Sequence, residues 1–225
     1  MPRIRADSSL FPLEINGPDD ACERALIDKG CTLIAGVDEA GRGPLAGPVV
    51  AAAVVLDLAN VPAGVNDSKT LTEKQRTALF DVILASARAV SIASVSAETI
   101  DEINILEATM VAMRNAISGL AIKPDHVLID GNRLPEQLPC PASFLIKGDQ
   151  RSVSIAAASI IAKVTRDRMM VNAGVVHPDY GLASHKGYGS AVKHTNAIVQ
   201  FGGIARFHRF SFAPLKNKKP PEGGL

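Results

Sequence analysis

The chain has no tryptophan and few aromatic residues of any kind: Phe, Tyr and Trp make up 4% of its 225 residues. That scarcity argues against a single-strand binder built from aromatic platforms on which bases stack. Cysteine is sparse too. Cys22, Cys31 and Cys140 contain no C-x-x-C pair and are odd in number, which speaks against a disulfide framework or zinc knuckle and for a reducing compartment. The longest uncharged stretch, Gly43–Leu56, is interrupted by Pro44 and Pro48 and falls short of the roughly 17–25 residues of a membrane helix. The opening residues MPRIRADSSLFPLEING lack the apolar core of a secretory signal. Internal repeats are absent. The expectation is a soluble cytoplasmic protein without membrane contact, a monomer in the absence of any feature calling for an oligomer.

A large net charge is also lacking, since the chain balances to +1, yet the distribution is uneven. Residues 1–141 carry 12 basic against 19 acidic residues, a balance of −7, whereas 142–219 carry 12 basic against three acidic residues, a balance of +9. An acidic half facing a basic half fits a metal site facing a polyanion, although two ordinary solvated surfaces would give the same count. With 47% hydrophobic residues, a substantial core can be buried.

Three prolines in residues 1–30 (Pro2, Pro12, Pro18) predict a loosely ordered lead-in. A catalytic domain is expected over 31–215, with residues 216–225 as a flexible Lys/Pro/Gly tail. Regular structure is predicted from about Thr32. Strands are expected over Thr32–Val37 and Val49–Leu56, with the Gly41–Gly47 turn between them. Thr70 and Glu73 fit a capping box for a helix whose face is Leu79, Phe80, Ile83 and Leu84. Ala89–Val95 alternates as a strand. A helix over Glu98–Leu120 has the apolar stripe Ile103, Leu106, Met110, Met113 and Ile117. Strands at His126–Ile129 and Phe144–Ile146 precede a long helix over Val153–Asn172, closed by Gly174, and a helix over Ser190–Gln200. Strands followed by packed helices define an α/β domain with a mixed sheet.

Four acids fall at strand ends beside glycine: Asp38 and Glu39, Asp130, and Asp149. Residues just past strand ends project into one crevice, where several carboxylates either retain protons or hold cations. All-oxygen donors suit Mg²⁺ or Mn²⁺. Alternation along a strand sends Asp38 and Glu39 to opposite faces, so the glycines at 41 and 43 predict a break that would turn Glu39 toward the same site. Taken singly, each acid reads as a turn or surface residue; the four together read as a site. Gly41–Ala46 matches the dinucleotide pattern G-x-G-x-x-[GA], but that pattern needs a helix directly after it, and a strand is expected there. Glycines around Arg42 instead let backbone amides and a guanidinium approach a phosphodiester.

Seven segments together resemble ribonuclease HII, the bacterial type 2 ribonuclease H: GVDEAGRGPLAGPVVAAAV (36–54), NDSKTLTEKQR (66–76), INILEATMVAM (103–113), LIDGNRLP (128–135), KGDQR (147–151), AAASIIAKVTRDR (156–168) and HKGYG (185–189). The resemblance covers about 33–214. It implies a ribonuclease H-like fold with a small helical C-terminal extension. It also implies hydrolysis of RNA in RNA/DNA hybrids and incision at ribonucleotides embedded in DNA. The metal-binding carboxylates it implies are Asp38, Glu39 and Asp130, with Asp149 as the fourth. Gly41, Arg42 and Gly43 look like the family's reader of the RNA–DNA junction, and Tyr188 resembles the tyrosine that packs against the nucleotide sugar. The stretch 206–214 only approximates the family's C-terminal basic string: Phe210 interrupts an arginine pair and leaves Arg209 without a role. The related ribonuclease HIII carries an extra N-terminal domain, for which thirty lead-in residues are too few.

The chemistry this implies is two-metal phosphodiester hydrolysis giving 5′-phosphate and 3′-hydroxyl ends. Lys69, within Asp67-Ser68-Lys69, together with Lys147, Arg151, Lys163, Arg166, Lys186 and Lys193, are candidate phosphate contacts, and His185 and His208 candidate donors. Asp167, between Arg166 and Arg168, is expected to pair locally. A non-catalytic hybrid-binding module and a dinucleotide-dependent oxidoreductase are the competing classes.

Overall fold

The computed structural model describes residues 17–216. In chain order the elements are α1 (Ala21–Ile27), β1 (Ile34–Ala40), β2 (Val49–Val55), α2 (Glu73–Ser86), β3 (Ala89–Val95), α3 (Ala97–Ser118), β4 (His126–Asp130), β5 (Ala142–Leu145), α4 (Val153–Val176), α5 (Leu182–His185) and α6 (Val192–Phe201). The strands form one mixed sheet in the order β3-β2-β1-β4-β5. β1 runs antiparallel to β2 and parallel to β4, and β4 runs parallel to β5. This is the expected α/β architecture, with helices on both faces.

Alternation sorts the strand residues between two cores. Ala35, Val37, Val127 and Ile129 face α3 in one cluster, while Ala52 and Val54 face α2 and α4 in the other. The small residues Ala156–Ser159 and Ala162 are all buried and let α4 lie close on the sheet. Closest approach is at Gly36, where a Cβ would stand 2.0 Å from the Ser154 carbonyl carbon, so any side chain there would lift the helix off β1. A third cluster joins the C-terminal extension to the glycine turn: Leu45 and Ala46 pack with Met170, Tyr180, Leu182, Ala197, Ile198 and Leu215. Among the described residues no helix is long and apolar enough to cross a membrane.

Several local expectations are corrected. Regular structure begins before Thr32: α1 lies within the lead-in, with Cys22 and Leu26 buried against Leu128, Leu145 and Ile155. The remaining lead-in residues 1–16 and tail residues 217–225 lie outside the described residues. The capping box of α2 is Thr72 with Gln75, reciprocally bonded, while the Thr70 hydroxyl donates to the Asp67 carbonyl at 2.8 Å. Of the proposed α2 face, Phe80 and Ile83 are buried but Leu84 is 46% exposed. α4 continues through Gly174 to Val176. Within α3, Asn104 takes φ 68° and breaks the helix, its side-chain oxygen accepting from the amides of Leu106 and Glu107 at 2.9 and 3.1 Å. The break resets the buried face to Ala108, Ala112, Met113, Ala116 and Ile117. Ile103, Leu106 and Met110 are only partly covered.

Candidate active site

β1 and β4 are paired in parallel up to Val37 and Ile129, so the next residues, Asp38 and Asp130, emerge side by side on the face covered by α4. Asp149 arrives from the turn Gly148–Gln150 that follows β5. The three carboxylates meet there, each offering one oxygen within 4.8 Å of the others. Backbone amides fix their orientation: Asp38 Oδ1 accepts from the Glu39 N–H at 2.7 Å, and Asp130 Oδ1 from the Gly148 N–H at 2.6 Å. Asp149 Oδ2 accepts from Lys69 Nζ at 2.9 Å.

Burial of like charges sets the electrostatics. Desolvation pushes Asp38 well above the ordinary carboxylate range, reinforced by the charges of Glu39, Asp130 and Asp149. Asp130 is raised by burial and by Asp149, against the Gly148 amide that favours its anion. Burial opposes the charge on Lys69, but its bond to Asp149 and the charges of Asp149, Asp67 and Asp38 raise it. A buried, all-oxygen set that resists ionisation on its own is the donor chemistry of a hard divalent cation.

Glu39 stands apart from that triad. β1 does not break before the glycines but runs on to Ala40, and Glu39 is not among the three acids whose oxygens meet. Its carboxylate lies 3.4 Å from the Arg42 guanidinium. Burial raises its pKa, and it remains near enough for Arg42 to oppose and Asp130 to reinforce that rise.

After Gly47 the chain enters β2, not a helix, which removes the structural condition for dinucleotide binding. Gly41 takes φ +99°, and a Cβ there would stand 2.1 Å from Arg166 Nε; only glycine fits. Tyr188 is 41% exposed beside this turn, its Cε1 4.0 Å from where a Gly43 Cβ would lie. The sugar-packing candidate and the junction-reading candidate are therefore neighbours.

The basic candidates divide. Lys147 is exposed at the end of β5, and Lys193 is exposed on α6. Lys186 is partly buried and donates to the Ala183 carbonyl of its own turn. Lys163 pairs with Asp167 at 2.7 Å, so Asp167 pairs one helical turn back and not with the flanking Arg166, which donates to carbonyls, or Arg168, which lies by Asp81. Arg151 and Arg166 are 6% and 1% exposed and are corrected from phosphate contacts to internal braces, donating to the carbonyls of Ile146 and of Ala46, Pro48 and Lys186. In Asp67-Ser68-Lys69 the first two residues are buried; Asp67 accepts from the Lys69 amide at 2.9 Å and from Gln150 at 3.4 Å, linking this loop to the turn that carries Asp149. His185 and His208 are not phosphate donors: His185 bonds the Tyr180 carbonyl and the Gly187 amide, and His208 is buried against His194.

Sequence reasoning missed two residues. Glu23 of α1 accepts from the Ser152 hydroxyl at 2.6 Å and the Ser154 amide at 3.0 Å, at the start of α4. Arg209, left without a role, is fully buried under the glycine turn. Their partners lie 129 and 168 residues away in the chain, and no local pattern announces such contacts.

Carboxylates converging at the ends of parallel central strands, beside a glycine turn and a chain half rich in cations, define a nuclease of the ribonuclease H-like fold, a hydrolase of phosphodiester bonds. A family model for ribonuclease HII matches residues 35–215. Ribonuclease HII of Brucella canis is 55% identical over 219 residues, spanning 97% of this chain and 99% of that protein. The crystal structure of the ribonuclease H2 from Pyrococcus horikoshii OT3 superposes with TM-score 0.70 at 30% identity, covering 82% of this chain and 95% of that one. The RNase HII of Archaeoglobus fulgidus, solved as a PCNA complex, gives TM-score 0.66 at 27% identity, covering 86% and 98%. The chain belongs to the ribonuclease HII family. It is an endoribonuclease acting on RNA/DNA hybrids.

Proposed function

We propose that this endoribonuclease also incises duplex DNA at embedded ribonucleotides, cutting on the 5′ side of the ribonucleotide to leave 3′-hydroxyl and 5′-phosphate ends. The observation that carries this reading is the 4.8 Å convergence of Asp38, Asp130 and Asp149 beside a glycine turn and an exposed tyrosine. Asp38, Asp130 and Asp149, with Glu39 adjoining, are the residues that hold divalent cations, Mn²⁺ or Mg²⁺. Bound there, such cations lower the pKa of the attacking water and offset charge on the departing 3′ oxygen.

The chain's own groups select and orient the substrate. Ribose differs from deoxyribose only in its 2′-hydroxyl, which the amides of Gly41, Arg42 and Gly43 read while Tyr188 packs against the sugar. Lys69 is anchored by Asp149 and presents an exposed ammonium stem to the scissile region. Lys147 and Lys186 contact flanking phosphates. The protein works as a monomer in the cytoplasm, a location that its few cysteines support.

The test is cleavage of an end-labelled DNA duplex carrying one ribonucleotide, with Mn²⁺, Mg²⁺ or EDTA, beside Asp130→Asn. The expected outcome is cation-dependent incision at that ribonucleotide, none in all-DNA duplex, and a fall of about 10³-fold or more in the variant with duplex binding retained. Binding without incision under every cation would make the chain a hybrid-binding module.

A further inference from the structure

Two guanidiniums lie beneath the glycine turn, and neither has a carboxylate within ion-pair distance among the described residues. Arg209 is 0% and Arg166 1% exposed. Arg209 spends its donors on carbonyls of the turn: Nη2 reaches Gly41 at 2.6 Å and Gly47 at 2.9 Å, Nη1 reaches Arg42 at 2.9 Å, and Nε reaches Gly47 at 3.1 Å. Arg166 holds Ala46 and Pro48 on the same turn and Lys186 in the Tyr188 loop. Desolvation, and then the neighbouring Arg166, push Arg209 down to about 9. Carbonyl dipoles, the Phe212 ring 5.2 Å from the Arg209 guanidinium carbon and the charges of Asp101 and Asp167 beyond ion-pair distance only partly offset the cost of burying two adjacent cations, and a turn that needed only rigidity could be held by neutral contacts.

The geometry gives that cost a consequence. In a trans peptide the carbonyl and the following N–H point opposite ways, and within the described residues only Ala213–Pro214 is cis. With the carbonyls of Gly41 and Arg42 drawn inward to Arg209, the N–H groups of Arg42 and Gly43 must point outward. Neither has an acceptor among the described residues, and the Gly43 side of the turn is where Tyr188 stands. The backbone pairs the same way: the Arg209 amide donates to Leu45 and the Gly47 amide to Phe207. The adjacent residue braces the other half. His208 Nδ1 accepts from the Ile204 amide, its Nε2 meets His194 Nε2 at 3.0 Å, and His194 Nδ1 reaches the Tyr188 carbonyl at 3.2 Å.

We propose that Arg209 is a positioning residue for ribose recognition: by drawing the Gly41 and Arg42 carbonyls inward it aims two neighbouring amides at the sugar edge of the ribonucleotide beside Tyr188. This rests on the reading of the glycine turn given above. Lysine keeps the charge but cannot reach three carbonyls in a planar fork, so Arg209→Lys separates aim from charge.

The experiment measures affinity in the Asp130→Asn background for two duplexes of one sequence, with and without a single ribonucleotide. Arg209→Lys should cut the preference for the ribonucleotide duplex by about tenfold or more, the equivalent of one hydrogen bond. All-DNA affinity should be unchanged, and so should the Mn²⁺-induced rise in melting temperature when Arg209→Lys is made in the chain that keeps Asp130. An undiminished preference in Arg209→Lys would overturn the proposal. No preference even with Arg209 present would instead sink the underlying reading of the turn. A second measurement depends on no Arg209 variant folding: by amide hydrogen exchange, the Arg42 and Gly43 N–H groups should exchange fast in the free protein. They should be protected by the ribonucleotide duplex and not by all-DNA. Protection already present in the free protein would overturn the outward aim directly.

Discussion

Three carboxylates whose oxygens lie within 4.8 Å of each other are held against their own repulsion by the fold, and the tension should be measurable. Asp38, Glu39 and Asp130 bind protons more tightly in the folded chain than in the unfolded one. Stability they contribute is therefore present at low pH and lost as pH rises from the ordinary carboxylate range through their raised values. His208 works in the opposite direction: burial, then the charge of His194, lowers it to about 3, so its contribution is lost as pH falls below its unfolded value. Comparing the parent with Asp38→Asn cancels the histidine part. The variant should melt higher than the cation-free parent, by a margin larger at pH 8 than at pH 5, because the raised Asp38 pKa makes ionisation at the higher pH the destabilising event. It should also lose the Mn²⁺-induced stabilisation. An equal margin at both pH values would show that the cluster is not under strain. At this scale much was legible beforehand, because an acid at a strand end beside glycine is a local signal. Glu39 was less so: its facing depends on where β1 ends, and it ends at Ala40, beyond where the glycines pointed.

Among the elements, α1 and α4 depend on each other in a way the sequence hides. The first turn of α4 exposes amide donors, which Ser152 and Glu23 satisfy between them, Ser152 accepting from Ile155 at 3.2 Å. Glu23 Oε2 is buried without a partner, and desolvation raises its pKa despite the bonds from Ser152 and Ser154. Gln at this position keeps an accepting oxygen and removes the penalised charge, whereas Ala leaves the Ser154 amide unsatisfied. Glu23→Ala is expected to cost about 1–3 kcal/mol, lowering the melting temperature by about 2–4 °C per kcal/mol in a chain of this size. Glu23→Gln should cost clearly less in the same calorimetric melt. Helix and strand identities came through from periodicity, since 2.0 and 3.6 repeats are local properties. The α3 stripe did not. One residue, Asn104, caps the second half of the helix from inside it and rotates the buried face, and no averaging over the helix sees that.

Across the whole molecule, the acidic and basic halves are brought together, but the balance of +9 over 142–219 overstates the cationic surface. Arg151, Arg166 and Arg209 are 6% exposed or less, and Lys163 is neutralised by Asp167. What remains for a duplex is a smaller set, with Lys147 and Lys193 exposed on it. Each phosphate contact releases condensed counterions, so the logarithm of affinity falls with the logarithm of salt concentration by about 0.9 per contact. For all-DNA duplex bound by Asp130→Asn, Lys147→Gln and Lys193→Gln should each flatten that slope by about one contact's worth and weaken binding alike for ribonucleotide and deoxyribonucleotide duplexes. Arg209→Lys should leave the slope where it was while lowering the ribonucleotide preference. The two behaviours divide the basic half into residues that hold the polyanion and residues that shape the turn reading it. If Arg209→Gln, which removes the charge, flattened the slope, the guanidinium would be reaching phosphate instead of holding the Gly41–Gly47 carbonyls.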